Sequence, residues 1–249
     1  HGRLFQDLDQ CPAPLPVCRR QDPQLQIPAV NPGNQGVVAL MRRRIRQHVN
    51  ALSLGHLVSG TARIDLPPDH PVEVELGCAD GAFLFERCAV HPQGFYVGVE
   101  IRREMVERLN RRAAAEQKPQ IVGVYGNLLC DLGALFPEAS VDLCHINFPD
   151  PFFKKSQHKR RFLTPGLLDT LFQILRPGGL LSFQSDVFEL ALEALDLLEQ
   201  SRPRFENERA AWRFSGSNPF EARSRRERRC EIRGLRIWRL LFRRSASAR

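Results

Sequence analysis

Between Pro71 and Gln200 this chain alternates between two hydrophobic periods, and few folds accommodate that alternation. Short, nearly continuous apolar runs at 72–77, 95–100, 120–125, 141–147 and 179–184 read as strands. The stretches near 81–90, 102–116, 165–176 and 187–200 carry helical spacing. A run such as Val141-Asp-Leu-Cys-His-Ile-Asn147 has apolar residues on both sides of the pleat, as a strand covered on both faces requires. Strands and helices in this order close into a parallel sheet with helices on both faces. The sequence Arg176-Pro-Gly-Gly179 reads as a helix stop leading into the fifth strand. After Pro203, apolar runs around Arg204–Phe214 and Leu235–Phe242 are expected to add edge strands. The expected fold is Rossmann-like α/β, with a central, mostly parallel seven-stranded sheet.

At 249 residues and 43% hydrophobic content the chain can bury one substantial core. Residues 1–36, rich in Pro, Gln, Gly and Asn and without periodicity, are expected to form a flexible arm, which leaves 37–249 as the domain. Its first residues, 37–50, give a short helical pattern holding Arg42, Arg43, Arg44 and Arg46. The net charge of +8 is unevenly placed: residues 1–72 hold 8 basic and 5 acidic side chains, 73–200 hold 13 and 18, and 201–249 hold 15 and 5. A basic C-terminal segment beside an acidic middle suits a chain that meets a polyanion. The seven cysteines form no C-x-x-C pair and no zinc-like spacing, which points to free thiols in a reducing, cytoplasmic compartment and implies no metal. No run of about 18 apolar residues exists, so no membrane partner is expected. No signal-peptide core follows His1. The expected assembly is a monomer or weak homodimer.

One stretch stands out chemically. Phe148-Pro-Asp-Pro-Phe-Phe-Lys-Lys-Ser-Gln-His-Lys-Arg-Arg161 sets a carboxylate, Asp150, on a proline-flanked turn beside a dense cationic run. Of only four lysines in the chain, Lys154, Lys155 and Lys159 fall here. The turn follows a strand, and ligands of open α/β sheets bind at the carboxyl ends of strands. Lys154, Lys155, Lys159, Arg160 and Arg161 are therefore expected to contact phosphates, and His158 to stack on a base or donate to a phosphate.

A second constellation follows the first strand, in Glu73-Val-Glu-Leu-Gly-Cys-Ala-Asp-Gly81. Gly77 and Gly81 permit a tight turn and close approach of a ligand to the backbone at a helix start. The dinucleotide pattern G-x-G-x-x-G is not met, since Ala79 and Ala82 occupy its second and third positions. Glu75 would repel a diphosphate but suits a cationic ligand such as the sulfonium and amino group of S-adenosylmethionine. The second strand ends in Glu100, placed to accept both ribose hydroxyls of an adenosine, and the third is followed by Asn127, whose side chain or backbone can pair an adenine edge.

With these residues assembled, residues 70–245 resemble the bacterial tRNA (guanine-N7)-methyltransferase family. The resemblance rests on Glu75-x-Gly77…Gly81, Gly98-x-Glu100, Phe148-Pro-Asp-Pro-Phe with Lys154, Lys155 and His158–Arg161, Arg176-Pro-Gly-Gly179, Ser185-Asp186 and Phe220-Glu221. It implies a class I methyltransferase fold, S-adenosyl-L-methionine as cofactor, and methyl transfer to a guanine N7 in the variable loop of tRNA. Carried over by position, Glu75, Gly77, Gly81, Glu100, Asn127 and Asp150 line the cofactor, Asp150 is catalytic, and Lys154, Asp186 and Asn218 to Glu221, with Phe220 among them, meet the substrate. The chain departs from the family pattern at Asn127 (usually Asp), at Phe152 (usually Trp), at Asn218-Pro-Phe-Glu221 (usually Thr-Lys-Phe-Glu), and in its N-terminal arm and arginine-dense tail.

Three other readings are weighed. An exocyclic-amine methyltransferase would share the cofactor half, but Asn147-Phe-Pro-Asp150 has the wrong order for its Asn/Asp-Pro-Pro-aromatic turn. A nicotinamide dehydrogenase lacks its glycines. The third is a non-catalytic RNA-binding protein on a methyltransferase fold.

Overall fold

The computed structural model describes residues 54–58, 63–150 and 163–246. The expected arm, the helix at 37–50 and the cationic residues Lys154, Lys155, His158, Lys159, Arg160 and Arg161 lie outside these. Strands β1 (Val72–Leu76), β2 (Phe95–Glu100), β3 (Ile121–Tyr125), β4 (Val141–Asn147) and β5 (Leu175–Ser185) alternate with helices α1 (Ala82–Val90), α2 (Arg103–Ala115), the single turn α3 (Leu132–Leu135) and α4 (Pro165–Ile174). Helix α5 (Phe188–Gln200), β6 (Phe205–Asn207), α6 (Arg225–Ile232) and β7 (Trp238–Arg244) follow.

The seven strands form one sheet in the order β3-β2-β1-β4-β5-β7-β6. The first five run parallel, and β7 pairs antiparallel with both β5 and β6. Every residue of β1 and β2 is buried, which is what apolar side chains on both sides of the pleat lead to. The main core joins Val74, Val97, Ile146, Leu171, Phe183 and Phe242 across the sheet. Strand order reverses between β1 and β4, so a crevice opens at their carboxyl ends. Their register pairs Glu75 with His145 and Leu76 with Ile146. The glycine turn after β1 and the proline turn after β4 therefore emerge side by side.

Two local features differ from the sequence reading. Helix α4 stops at Ile174 and β5 has begun by Leu175, so Arg176-Pro-Gly-Gly179 belongs to the strand. Pro177 keeps Arg176 out of the helical region, and a register irregularity between Val141 and Leu143 absorbs the early start. Helix α6 was not anticipated: Arg225-Arg-Glu-Arg-Arg-Cys-Glu-Ile232 has too few apolar residues to define a period. Its start is fixed locally, because the Ser224 hydroxyl oxygen accepts the Glu227 N–H at 3.1 Å. No described helix is long and apolar enough to cross a membrane.

The sheet and α2 pack tightly at Gly98. A Cβ there would lie 2.5 Å from Cys78 Sγ and 3.0 Å from Leu109 Cδ1. Gly98→Ala is expected to destabilise the fold by about 1–3 kcal/mol through overpacking. Chemical denaturation checks this, and an unchanged midpoint would show that the strand relaxes freely.

Candidate active site

The turn after β1 is built for a ligand. Gly77 adopts φ +77°, and beyond its chain neighbours no heavy atom of the described residues lies within 4 Å of the place its Cβ would take, so space opens beside the backbone. Gly81, at φ +72°, precedes α1, whose first N–H groups receive no side-chain cap. Glu75 is buried beneath this turn. Its Oε1 accepts from Asn147 Nδ2 at 2.9 Å, while its Oε2 has no hydrogen-bond partner among the described residues. Burial, seconded by the charges of Asp80 and Glu100 and only partly offset by the Asn147 bond, pushes its pKa up to about 8. A cationic group bound at Oε2 would satisfy both the geometry and the charge, so the residues present fit the amino and sulfonium groups of S-adenosylmethionine.

Glu100 is more occupied than the sequence suggested. Its Oε1 accepts from the Arg102 N–H and Nε, and its Oε2 from the Ala79 N–H and Arg102 Nη2, at 2.8–3.0 Å. A carboxylate offers about four acceptor positions, so ribose hydroxyls must displace or share with Arg102. The Glu100 hydrogen bonds hold the Arg102 pKa above its usual value, and the charge of Asp150 adds to this, which ties the catalytic candidate to the cofactor side.

The Asn127 side chain is engaged too. Its Nδ2 donates to the Leu54 and Gly55 carbonyls at 3.0 and 3.4 Å, and its Oδ1 accepts the Leu129 N–H at 3.2 Å. Asp131 Oδ2 accepts the N–H groups of Leu57 and Asn127. His56, Cys130 and Asp131 come within 4.8 Å of one another, a grouping that spacing did not reveal. The Asp131 oxygens, however, already hold residues 56–57 against the turn after β3.

After β4, Phe148 takes φ +51°, an uncommon conformation for a non-glycine residue and a strained one before proline. Its N–H donates to the Gln184 carbonyl at 2.8 Å, which anchors the turn that carries Asp150. A polar chain then runs under the crevice. Asn147 Oδ1 accepts from Gln184 Nε2 at 2.8 Å, and the same amide donates to Glu227 Oε2 at 3.1 Å. Glu227 Oε1 accepts from Asn218 Nδ2 at 2.9 Å and Arg239 Nη2 at 2.8 Å. Glu227 is fully buried, and it follows Ser224 in a Ser-x-x-Glu pattern, the one local signal in the sequence that could have found it.

The substrate candidates divide accordingly. The Asn218 amide turns inward, while Glu221 is exposed with φ +57°. Asp186 pairs with Arg226 at 2.5 Å. Phe220 packs edge-on to His145, with ring centroids 4.8 Å apart, and its carbonyl accepts from Arg87 Nη1 at 2.7 Å. Arg87 in turn grips Glu73 through two bonds, at 2.9 and 2.6 Å. Gln184, Arg87 and Arg102 are thus site-building residues that no motif marked, and Glu227 is one that only its capping pattern marks.

The comparisons with known proteins fall on this geometry. Residues 69–240 match the methyltransferase family model Methyltransf_4. The tRNA (guanine-N(7)-)-methyltransferase of Thermosynechococcus vestitus is 34% identical over 207 residues, covering 82% of this chain and 96% of that protein. The enzyme of the same description from Synechococcus elongatus is 32% identical over 210 residues, covering 82% and 97%. The chain belongs to the tRNA (guanine-N7)-methyltransferase family. Among solved structures, the 16S rRNA methyltransferase KamB superposes with a TM-score of 0.52 at 16% identity, covering 71% of this chain and 88% of that one. The methyltransferase in the Haloferax volcanii Trm112 complex gives 0.50 at 16% identity, covering 76% and 88%. These two share the fold. In this member of the family, the Gly77 and Gly81 turn and the Asp150 turn flank the switch point of a methyltransferase sheet.

Proposed function

We propose that this chain transfers a methyl group from S-adenosyl-L-methionine to N7 of a guanine in the variable loop of tRNA, as a cytoplasmic enzyme. One observation carries the reading: a buried, half-partnered acid, Glu75, lies under an open glycine turn and beside the strand whose proline turn presents Asp150. When bound, S-adenosylmethionine supplies an electrophilic methyl on a sulfonium. Guanine N7 carries an in-plane lone pair and no proton, so the chain's own task is alignment more than base catalysis.

Glu75 holds the positive end of the cofactor, with Asn147 fixing the carboxylate from behind. Glu100 receives the ribose as Arg102 yields. Asn127 shapes the adenine end through residues 54–55. Asp150 accepts from guanine N1–H or the exocyclic amine and stabilises the positive charge that spreads over the purine on methylation. Asp186 and the Asn218–Glu221 turn, with Glu227 behind it, border the substrate, and the cationic stretch 154–161 takes phosphates.

The test is methyl transfer from labelled S-adenosylmethionine to unmodified bulk tRNA at two salt concentrations, with nucleoside analysis and Asp150→Ala alongside. Label is expected in 7-methylguanosine, reduced roughly 100-fold in the variant by lost alignment, with tRNA affinity falling steeply with salt. Label in another nucleoside would move the target, and cofactor binding without any transfer would favour a non-catalytic RNA binder.

A further inference from the structure

Beyond the crevice, the register of β5 and β7 sets Trp238 opposite Ser185 at the carboxyl edge of the sheet, and α5 starts there with Phe188. Three aromatic rings gather at this point. Phe188 and Trp238 have centroids 4.6 Å apart, and Phe214 and Trp238 are 5.1 Å apart. The Arg236 guanidinium carbon lies 3.9 Å from the Trp238 ring centroid. Phe214 and Trp238 rest on the main core, whereas Phe188 is 43% exposed. The result is a rigid aromatic step, backed by the core, with a planar cation on its border.

We propose that this cluster is a stacking platform for an unpaired nucleobase of the RNA substrate, an inference that rests on the tRNA reading above. Exposed aromatic faces and guanidinium planes are the surfaces on which splayed bases stack, whatever their sequence. The platform occupies the same end of the sheet as the Asp150 turn, and Asp186, two residues before Phe188, is already neutralised by Arg226. Of the arginines of helix α6, Arg226 pairs with Asp186, and Arg225 and Arg228 pair with Asp80 and Glu86, so these acids are neutralised and the cation that borders the platform is Arg236, which suits a polyanion. Away from this rim the character reverses. Leu192, one turn along α5 and 45% exposed, sits among Glu189, Glu193 and Asp196, whose carboxylates repel phosphates. The footprint therefore takes one or two bases at the helix start and not a length of duplex along α5.

The experiment measures binding of an unmodified tRNA transcript to the full chain and to Phe188→Ala, Phe188→Leu and Phe188→Tyr across a salt series, with S-adenosylmethionine affinity and sedimentation in parallel. Phe188→Ala is expected to weaken tRNA binding about tenfold, in the range of one lost base stack. Its salt slope should be unchanged because no phosphate contact is removed, and cofactor affinity should hold. Phe188→Tyr should restore binding and Phe188→Leu should not, since the leucine keeps apolar area but lacks a π-face. Unchanged tRNA affinity in Phe188→Ala overturns the platform alone. Equal rescue by leucine, or a change in self-association in place of RNA affinity, overturns it in favour of a protein contact. Failure of the unsubstituted chain to bind tRNA overturns both this proposal and the reading it rests on.

Discussion

Arg87→Met is expected to destabilise the ligand-free protein by about 3–5 kcal/mol, the cost of stranding a buried charge, lowering Tm by roughly 6–20 °C. The Arg87 and Glu73 side chains are only 5% and 9% exposed, and each is held by the other in a bidentate contact. His145 Nε2 lies 3.0 Å from the same Glu73 carboxylate, and burial holds the imidazole pKa below its usual value, so the ring is neutral and donates its N–H. Burial alone would raise the Glu73 pKa, but the hydrogen bonds and charges of its partners outweigh it and hold the carboxyl well below its ordinary 4.5. The sign follows from this. A depressed carboxyl pKa contributes stability above about pH 4.5 that is lost as pH falls. Differential scanning calorimetry from pH 7 down to about 2 reads both effects. Glu73→Gln combined with Arg87→Met should recover part of the loss, since the amide oxygen still accepts from His145 while no charge is stranded. A single variant as stable as the parent would show that water reaches Glu73. Because Arg87 also holds the Phe220 carbonyl, the single variant should loosen the 218–221 turn as well.

How much of this was legible beforehand depended on whether the signal was local. The five parallel strands could be read because each must be apolar on both faces, and β1 and β2 are buried at every residue. The edge strand β6 fell within its apolar run, and β7 began inside its run and continued two residues past it, to Arg244. Helix α6 could not be read from periodicity, because an arginine-dense helix docked by one buried acid and one cysteine carries almost no hydrophobic pattern. The site shows the same division. Glu75, Glu100 and Asp150 were visible because each stands at or just beyond a strand end in a sheet of known polarity. Their partners were not. Gln184 lies 37 residues from Asn147 and 43 from Glu227, and they meet because β4 pairs with β5 while Arg239 of β7, opposite Gln184, holds Glu227 of α6. Nor does sequence show that Arg102, two residues from Glu100, fills the acceptors a ribose needs.

Binding of S-adenosylmethionine at pH 7 is expected to release about one proton, and Glu75→Gln to abolish that release. With a pKa of about 8 in the free protein, Glu75 is mostly protonated at neutral pH, although its ordinary value is 4.5. A cation arriving at its unpartnered Oε2 favours the carboxylate, so the proton leaves as the ligand binds. Two consequences have fixed signs. Cofactor affinity should rise with pH by up to about tenfold per unit between pH 6 and 7, below the range in which an α-amino group near pKa 8 itself titrates. The ligand-free protein should lose stability as pH climbs from about 5 toward 8, because the unfolded chain has released a proton that the folded one retains. Titration calorimetry in buffers of different ionisation enthalpy counts the proton directly. S-adenosylhomocysteine, which keeps the amino group but has no sulfonium, separates the two charges. Equal release with both ligands assigns Glu75 to the amino group, and release only with S-adenosylmethionine assigns it to the sulfonium. If no proton leaves, or if Glu75→Gln releases as many as the parent, then Glu75 is not the group that meets the cofactor's charge. Asn147, which holds the other oxygen, gives an independent arm: Asn147→Ala removes the one hydrogen bond that favours the ionised form, and should push the release to higher pH without eliminating it.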